Sequence, residues 1–322
     1  MSIFLTVILI IIGFGLLIKC ADLLVDSSSS IAKKFHIPEI IIGLTIVSIG
    51  TSLPELIVSL KSAMSGHSDM SVGNVVGSNV CNLLLILGLA STINPIKFKK
   101  ETRLIEIPIC LVLTIIFGIL CNTNNIISRP ESILLLILFT IFIIYTIIMG
   151  KKGEKFDKEE GEIIEQKEEK SETSILKNII FIILGIIGLK VGGDLVVDNS
   201  IIVAKFFNIS EQIISLTIVA IGTSLPELVT SIVAAIKGNS DISIGNILGS
   251  NIFNMALIMG ISALINPITY NLVYNFEIGI LIIASIVLSL FPIIPPKNKM
   301  SRMNGIIYLM MYVVYTISLL KL

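Results

Sequence analysis

The sequence predicts an all-α polytopic membrane protein, with ten transmembrane helices arranged as two inverted five-helix repeats. Three observations carry that prediction. The 322 residues are 54% hydrophobic and only 14% charged, with a mean hydropathy of +0.97, whereas a soluble domain carries about 25% charged residues. Apolar runs of bilayer-spanning length, about 20 residues, recur from end to end. The heptapeptide GTSLPEL stands at residues 50–56 and again at 222–228.

Taken in order, apolar runs and polar breaks place spans at 2–30, 39–64, 71–93, 104–122, 131–149, 175–202, 211–236, 243–265, 273–292 and 303–320. The run from Ile3 to Ile18 reads as a spanning helix and not a signal peptide. No basic residue precedes it and no small-residue cleavage site follows. The one long hydrophilic stretch, KKGEKFDKEEGEIIEQKEEKSET from Lys151 to Thr173, is too charged to bury a core and reads as a solvated linker. The expected organisation is a first five-helix repeat over 1–150, a cytoplasmic hydrophilic linker over 151–174 and a second, inverted repeat over 175–322.

The halves align without a gap. An offset of 222 − 50 = 172 pairs Gly50 with Gly222, Asp22 with Asp194, Asp26 with Asp198, Pro54 with Pro226, Asp69 with Asp241 and Pro95 with Pro267. Register held over seventy residues marks an internal duplication. Five spans per half is an odd number, so the second copy enters the membrane facing the other way. With the N-terminus outside, the inward segments hold Lys33, Lys34, Lys97, Lys99, Lys100, Arg103, the linker, Lys237, Lys297, Lys299 and Arg302. The outward ones hold only Lys61, Arg129, Lys205 and Lys321. The positive-inside rule thus places both termini outside and the linker in the cytoplasm of a multi-pass cell-membrane protein. Inverted repeats are the plan of secondary transporters, whose substrate site lies at the repeat interface near the bilayer midplane.

The repeated motif supplies the chemistry. A carboxylate inside a span is expensive, about 2.5–3.5 kcal/mol for Asp on insertion scales, and this chain places Glu55 and Glu227 there. No lysine or arginine stands in the middle of those spans, so a bound cation is the expected counter-charge. Pro54 and Pro226 lack an N–H, which should release carbonyls around Ser48 to Thr51 and around Ala220 to Thr223 for coordination. Thr51 and Ser52 precede Glu55 by four and three residues and share its face; Thr223 and Ser224 stand likewise to Glu227. A second element follows in each half, GNVVGSNVCN at 73–82 and GNILGSNIFN at 245–254. Asn74, Ser78 and Asn82 form one polar stripe, repeated by Asn246, Ser250 and Asn254. The inventory is all oxygen, as a hard cation such as Ca²⁺ requires; a softer metal would call for Cys or His.

Other features read as structural. Gly73, Gly77, Gly245 and Gly249 form GxxxG patterns that let helices approach closely. Asn74 and Asn246 are expected to hydrogen-bond between helices, and Asp69 and Asp241 to cap them. Asp22, Asp26, Asp194 and Asp198 are expected on a hydrated face or paired with Lys19, Lys33, Lys190 or Lys205. His36 and His67 lie in loops, and two histidines are too few for a proton relay. The four cysteines form no CxxC and read as small apolar residues. The net charge is zero, so global charge argues nothing about partners, and nucleic acid is not among those expected. No P-loop points to an ATP-driven pump, and no GxGD or HExxH to an intramembrane enzyme. No cofactor and no protein partner are expected, and the chain should function as a monomer.

GTSLPE followed by GNxxGSNxxN, twice in one duplicated chain, resembles the calcium/cation antiporter superfamily, most closely its prokaryotic sodium/calcium exchanger branch. The resemblance spans both halves. It implies the sodium/calcium exchanger fold, with ion sites clustered between the second, third, seventh and eighth helices and the first and sixth sliding as a unit. Carried over, the family's ligands fall on Thr51, Ser52, Glu55, Ser78 and Asn82, and on Thr223, Ser224, Glu227, Ser250 and Asn254, with the carbonyls of Ser48 and Ala220. Position 254 departs from the pattern, because some prokaryotic relatives and the potassium-dependent branch carry an acid there. An amide cannot titrate in this range, so no proton is carried at that position. The expected function is Na⁺/Ca²⁺ antiport; the alternatives are Ca²⁺/H⁺ antiport with the same glutamates as proton carriers, and a passive cation channel.

Overall fold

The computed structural model describes residues 3–159, 174–208, 220–295 and 297–319. The architecture is helical throughout, with two pairs of two-residue strands. The helices are α1 (Ile3–Lys34), α2 (Glu39–Thr51), α3 (Leu53–Met64), α4 (Ser68–Ile93), α5 (Thr102–Asn122), α6 (Arg129–Glu159), α7 (Ile175–Phe206), α8 (Leu225–Ile236), α9 (Ser240–Ile265), α10 (Leu272–Leu290) and α11 (Arg302–Leu319). Seven helices among the described residues are long and apolar enough to cross a bilayer, and α2 with α3 forms an eighth span, bent by 50°. The predicted span 211–236 is described only from Ala220 onward, and α11 matches the predicted last one. Ten spans are compatible with this arrangement. Residues 160–173 of the predicted linker lie outside the described residues, and α6 continues through its first turns to Glu159.

Burial sorts the helices into layers. The most apolar stretches of α4 and α9 are 72% and 83% buried, against 17% for α1 and 22% for α6. The centre is therefore α4 and α9, the two helices carrying the GSNxxN motifs, and the apolar outer faces of α1 and α6 suit lipid. Exposed Phe4, Ile11, Ile141 and Ile147 belong to those faces.

Glycines set the closest crossings. A Cβ on Gly43 would stand 2.9 Å from the Ile242 carbonyl oxygen and 3.0 Å from the Gly245 Cα, so α2 lies directly against α9. Helices α1 and α7 run antiparallel in similar contact: Gly13 meets Gly192 and Val196, while Cys20 meets Gly185 and Gly188. The packing expected of Gly245 and Gly249 is present. Gly73 instead faces the Tyr274 hydroxyl, and among the described residues nothing lies within 4 Å of a Cβ at Gly77. The offset of 172 pairs Gly43 and Leu44 with residues 215 and 216, outside the described residues.

The short strands were not foreseen. Ile96–Lys97 pairs antiparallel with Lys299–Met300, and Ile126–Ile127 with Ile268–Thr269, each tying a loop of one half to the other. Asn94 Nδ2 donates to the Ala235 carbonyl at 3.0 Å, and its counterpart Asn266 to Ala63 at the same distance. Both ends of the molecule are thus stitched across the two halves.

Candidate ion-binding site

Two helix breaks build the site. Ser52 (φ −83°, ψ 9°) separates α2 from α3, and Ser224 (φ −89°, ψ 8°) precedes α8 in the same conformation. Pro54 and Pro226 stand in the first turns of α3 and α8, where a missing N–H costs nothing. Glu55 and Glu227 occupy those same first turns, at the positive end of each helix dipole. The sequence expectation of freed carbonyls is met only in part. The Ser48 carbonyl still accepts the Ser52 N–H at 3.0 Å and the Thr51 hydroxyl at 3.3 Å. On the other side the Ser224 N–H turns to Ile221 at 3.1 Å, one residue beyond Ala220, which opens the short helical turn Ala220–Gly222.

Side chains then cross between the halves. Ser52 Oγ donates to Glu227 Oε1 at 2.8 Å, and Ser224 Oγ donates to Glu55 Oε1 at 3.2 Å. Ser78 Oγ adds a longer bond to Glu55 Oε1 at 3.4 Å. Each glutamate is therefore one hydroxyl away from the opposite GTSLPE motif, and both are 1% exposed. Asn74 and Asn246 fix the glutamates from behind. Asn74 Nδ2 donates to the Glu55 carbonyl at 3.1 Å and to Ser59 Oγ at 2.9 Å; Asn246 Nδ2 does the same to Glu227 and Ser231 at 3.5 and 2.9 Å. This is the interhelical role their sequence position suggested. Thr51 Oγ1 also donates to Asn246 Oδ1 at 3.1 Å.

The GSNxxN motifs also meet across the two halves. Cys81–Ile86 and Phe253–Ile258 are π-helical stretches within α4 and α9, and Asn82 and Asn254 sit at their starts. Such widened turns are frequent at functional sites, and two more stand at Gly43–Val47 and Thr102–Glu106. Asn82 Nδ2 donates to Asn251 Oδ1, and Asn254 Nδ2 to Asn79 Oδ1, both at 3.0 Å. Asn79 and Asn251 went unremarked in the sequence. Their signal was available: both are polar, both follow the motif serine inside an apolar span, and both recur at the offset of 172.

What remains unpaired defines the chemistry. Glu55 Oε2, Glu227 Oε2, Asn82 Oδ1, Asn254 Oδ1 and Ser250 Oγ are all buried without a hydrogen-bond partner. Native interiors leave few polar groups unsatisfied, and here five oxygens from two matched motifs are left so together. Among the described residues no lysine, arginine or histidine forms an ion pair with either glutamate, and no cluster of three or more Cys, His, Asp or Glu exists. Two carboxylates ringed by neutral oxygens suit Ca²⁺ or Na⁺ and not a thiophilic metal. Of the sequence candidates, Ser48, Thr51, Ser52, Glu55, Ser78, Asn82, Ser224, Glu227, Ser250 and Asn254 are all buried in this region. Thr223 is half-buried and lines a cleft of about 150 Å³ with Pro54, Pro226, Lys190, Asp194 and Asp198.

The capping expectation is corrected, and those for the paired aspartates are met in part. Asp69 and Asp241 do not cap their helices; the N-cap positions are His67 and Asn239, and Asp241 pairs with Lys99 at 3.0 Å. Asp194 pairs with Lys190 at 2.5 Å, one of the partners expected. Asp22 and Asp26 both bind Lys237 at the end of α8, the Asp26 contact measuring 2.6 Å. That lysine is remote in sequence and was not on the expected list. The halves therefore differ at their mouths: aspartates of α1 are clamped to α8, while their counterparts on α7 line the cleft.

A model of the sodium/calcium exchanger protein family matches residues 5–148 and 177–321. This chain belongs to that family. Among its relatives, inner membrane protein YrbG of Escherichia coli K12 is 36% identical over 88% of this chain and 87% of its own length. Sodium/calcium exchanger MaX1 of Methanosarcina acetivorans is 32% identical over 97% of both. A solved structure of the sodium-calcium exchanger NCX_Mj, soaked with zero Na⁺ and Ca²⁺, superposes with a TM-score of 0.85 at 31% identity, covering 99% of this chain and all of that one. The protein is a multi-pass cation antiporter, not an enzyme.

Proposed function

We propose that this antiporter exchanges Na⁺ for Ca²⁺ across the cell membrane by alternating access, with Glu55 and Glu227 holding the ions between the two halves. The observation that carries the reading is the set of five buried, unpaired oxygens: one from each glutamate, one from each of Asn82 and Asn254, and Ser250 Oγ. The remaining carboxylate oxygens are held by serines of the opposite half, so a cation gathered here bridges both. Thr51, Ser52, Ser78, Thr223 and Ser224 supply further hydroxyls, and the Ser48 and Ala220 carbonyls complete the ligand set. Two carboxylates balance one Ca²⁺ or two Na⁺, so the two cargoes compete for one site. The halves 1–150 and 175–322 act as inverted repeats joined by the cytoplasmic linker 151–174, with both termini outside, and one chain suffices for transport. In this topology the cleft beside Asp194 and Asp198 opens outward, and the Lys237 clamp closes the inward mouth.

The test is Ca²⁺ uptake into proteoliposomes under three conditions: an outward Na⁺ gradient at fixed pH, a pH gradient without Na⁺, and neither. Uptake driven by the Na⁺ gradient alone is expected. Uptake that follows only the pH gradient makes the glutamates proton carriers, and uptake that needs no counter-ion makes the protein a channel; either overturns the proposal.

A further inference from the structure

We infer that Asn79 and Asn251 are positioning residues that orient the amides of Asn82 and Asn254, turning their carbonyl oxygens, and not their NH₂ groups, toward the transported cation. The inference rests on the proposed ion site and adds the device that fixes the polarity of two of its ligands.

The constraint starts at groups that cannot flip. A backbone carbonyl only accepts. Asn79 Nδ2 lies 3.4 Å from the Asn251 carbonyl oxygen, and Asn251 Nδ2 lies 3.5 Å from the Asn79 carbonyl oxygen. These reciprocal contacts, long as they are, face each amide nitrogen toward the opposite main chain. The side-chain oxygen of each is thereby turned the other way. Asn79 Oδ1 meets the Asn254 side chain and Asn251 Oδ1 meets the Asn82 side chain, each at 3.0 Å. An oxygen there accepts only from an NH₂, so Asn82 and Asn254 must present nitrogen to the quartet. Their own oxygens are left on the far side, buried and without a donor. Four asparagines thus carry orientation from two fixed carbonyls to two ion ligands, each chain of contacts crossing between the halves twice.

An amide is close to symmetric in shape but opposite in polarity at its two ends. Flipped, Asn82 or Asn254 would aim two N–H donors at a cation. The need arises because position 254 is an amide. A carboxylate offers oxygen in both orientations and requires no such control, but it would set oxygen against Asn79 Oδ1.

The experiment is a double-mutant comparison on the full-length protein in proteoliposomes, reading half-saturating Ca²⁺ and maximal Na⁺-driven rate separately. Asn79→Leu removes the acceptor at similar size, and half-saturating Ca²⁺ is expected to rise about tenfold, or 1.4 kcal/mol, with a smaller change in maximal rate. With Asn254→Asp as background, the same Asn79→Leu substitution is expected to cause no rise, because no amide remains to misorient. The mirror pair, Asn251→Leu with and without Asn82→Asp, gives an independent reading should one variant fold poorly; melting temperature in detergent reports folding. An unchanged half-saturating Ca²⁺ in folded Asn79→Leu and Asn251→Leu overturns the inference. So does an equal loss in both backgrounds, which marks a packing role. Failure of the wild-type protein to couple Na⁺ to Ca²⁺ at all is a different result and refutes the functional reading instead.

Discussion

Replacing Glu227 by Gln keeps the shape of the site and removes one of its two charges. Ser52 Oγ, now 2.8 Å from Glu227 Oε1, can still donate to an amide oxygen there, so the crossed contact between the halves survives. The loss falls on Oε2, buried and without a partner. In a medium of effective dielectric near 20, two unit charges 4 Å apart attract by about 4 kcal/mol. A divalent ion at a coordination distance of about 2.3–2.6 Å gains several times that, most of it offset by dehydrating ion and carboxylate. Removing one partner from a buried charged pair leaves a net cost of about 3–5 kcal/mol. Affinity for Ca²⁺ should therefore fall by roughly two to three and a half decades. Na⁺ carries half the charge and should lose about half as much free energy. Glu55→Gln, paired with Ser224 and Ser78, should behave the same way. Calorimetric titration of purified protein with Ca²⁺ and with Na⁺ measures both losses, and radiolabelled Ca²⁺ uptake measures the transport that follows. If either variant bound and transported Ca²⁺ within about threefold of wild type, the two-carboxylate argument would be wrong.

Two further outcomes follow from the packing and the mouths. Lys237 joins Asp22 and Asp26 of α1 to the end of α8 with side chains 27%, 44% and 62% exposed. Pairs that exposed contribute about 0.2–1 kcal/mol each, enough to bias the two access states by about 2- to 30-fold. Lys237→Gln should raise hydrogen exchange across residues 18–34 while Lys237→Arg leaves it unchanged; equal protection in all three proteins refutes the clamp. A Cβ on Gly245 would stand 2.6 Å from the Ile40 carbonyl oxygen and 3.0 Å from the Gly43 Cα. Gly245→Ala should cost about 1–3 kcal/mol and lower the melting temperature, whereas Gly15→Ala, with nothing within 4 Å, should not.

The parts of this site that sequence revealed are those written in short-range pattern. Glu55 and Glu227 announce themselves because a carboxylate in an apolar run is costly, and Pro54 and Pro226 because proline has one backbone consequence wherever it stands. The duplication doubled each signal. What stayed hidden depends on partners far along the chain or on departures from α-helical geometry. Lys237 meets Asp26 across 211 residues, and no local pattern links them. Asn79 and Asn251 fall off the four-residue stripe of Asn74, Ser78 and Asn82, and their importance appears only once two GSNxxN helices cross. The π-helical turns at Cys81–Ile86 and Phe253–Ile258 defeat any reading that assumes 3.6 residues per turn. Helix capping by Asp69 and Asp241 was a sound expectation from residue type, overridden at Asp241 by an ion pair with Lys99.

The amide at position 254 also fixes where voltage acts. With Asn254 and Asn82 neutral, Glu55 and Glu227 are the only charged groups buried at the proposed site among the described residues. Holding one Ca²⁺, the site sums to −2 + 2 = 0, so the Ca²⁺-loaded form moves no net charge across the field. Empty, it would carry two uncompensated carboxylates through a low-dielectric passage, at several kcal/mol each; that penalty is what turns a shared site into an exchanger instead of a leak. Any electrical sensitivity then belongs to the Na⁺ leg. Two Na⁺ would leave it neutral as well, and a third would add one positive charge, worth about 2.3 kcal/mol per 100 mV. Ca²⁺/Ca²⁺ self-exchange in proteoliposomes should consequently be indifferent to an imposed potential. Self-exchange that changed steeply with voltage would require a charged group at the site beyond the two glutamates, and with it a different account of how the cargoes compete.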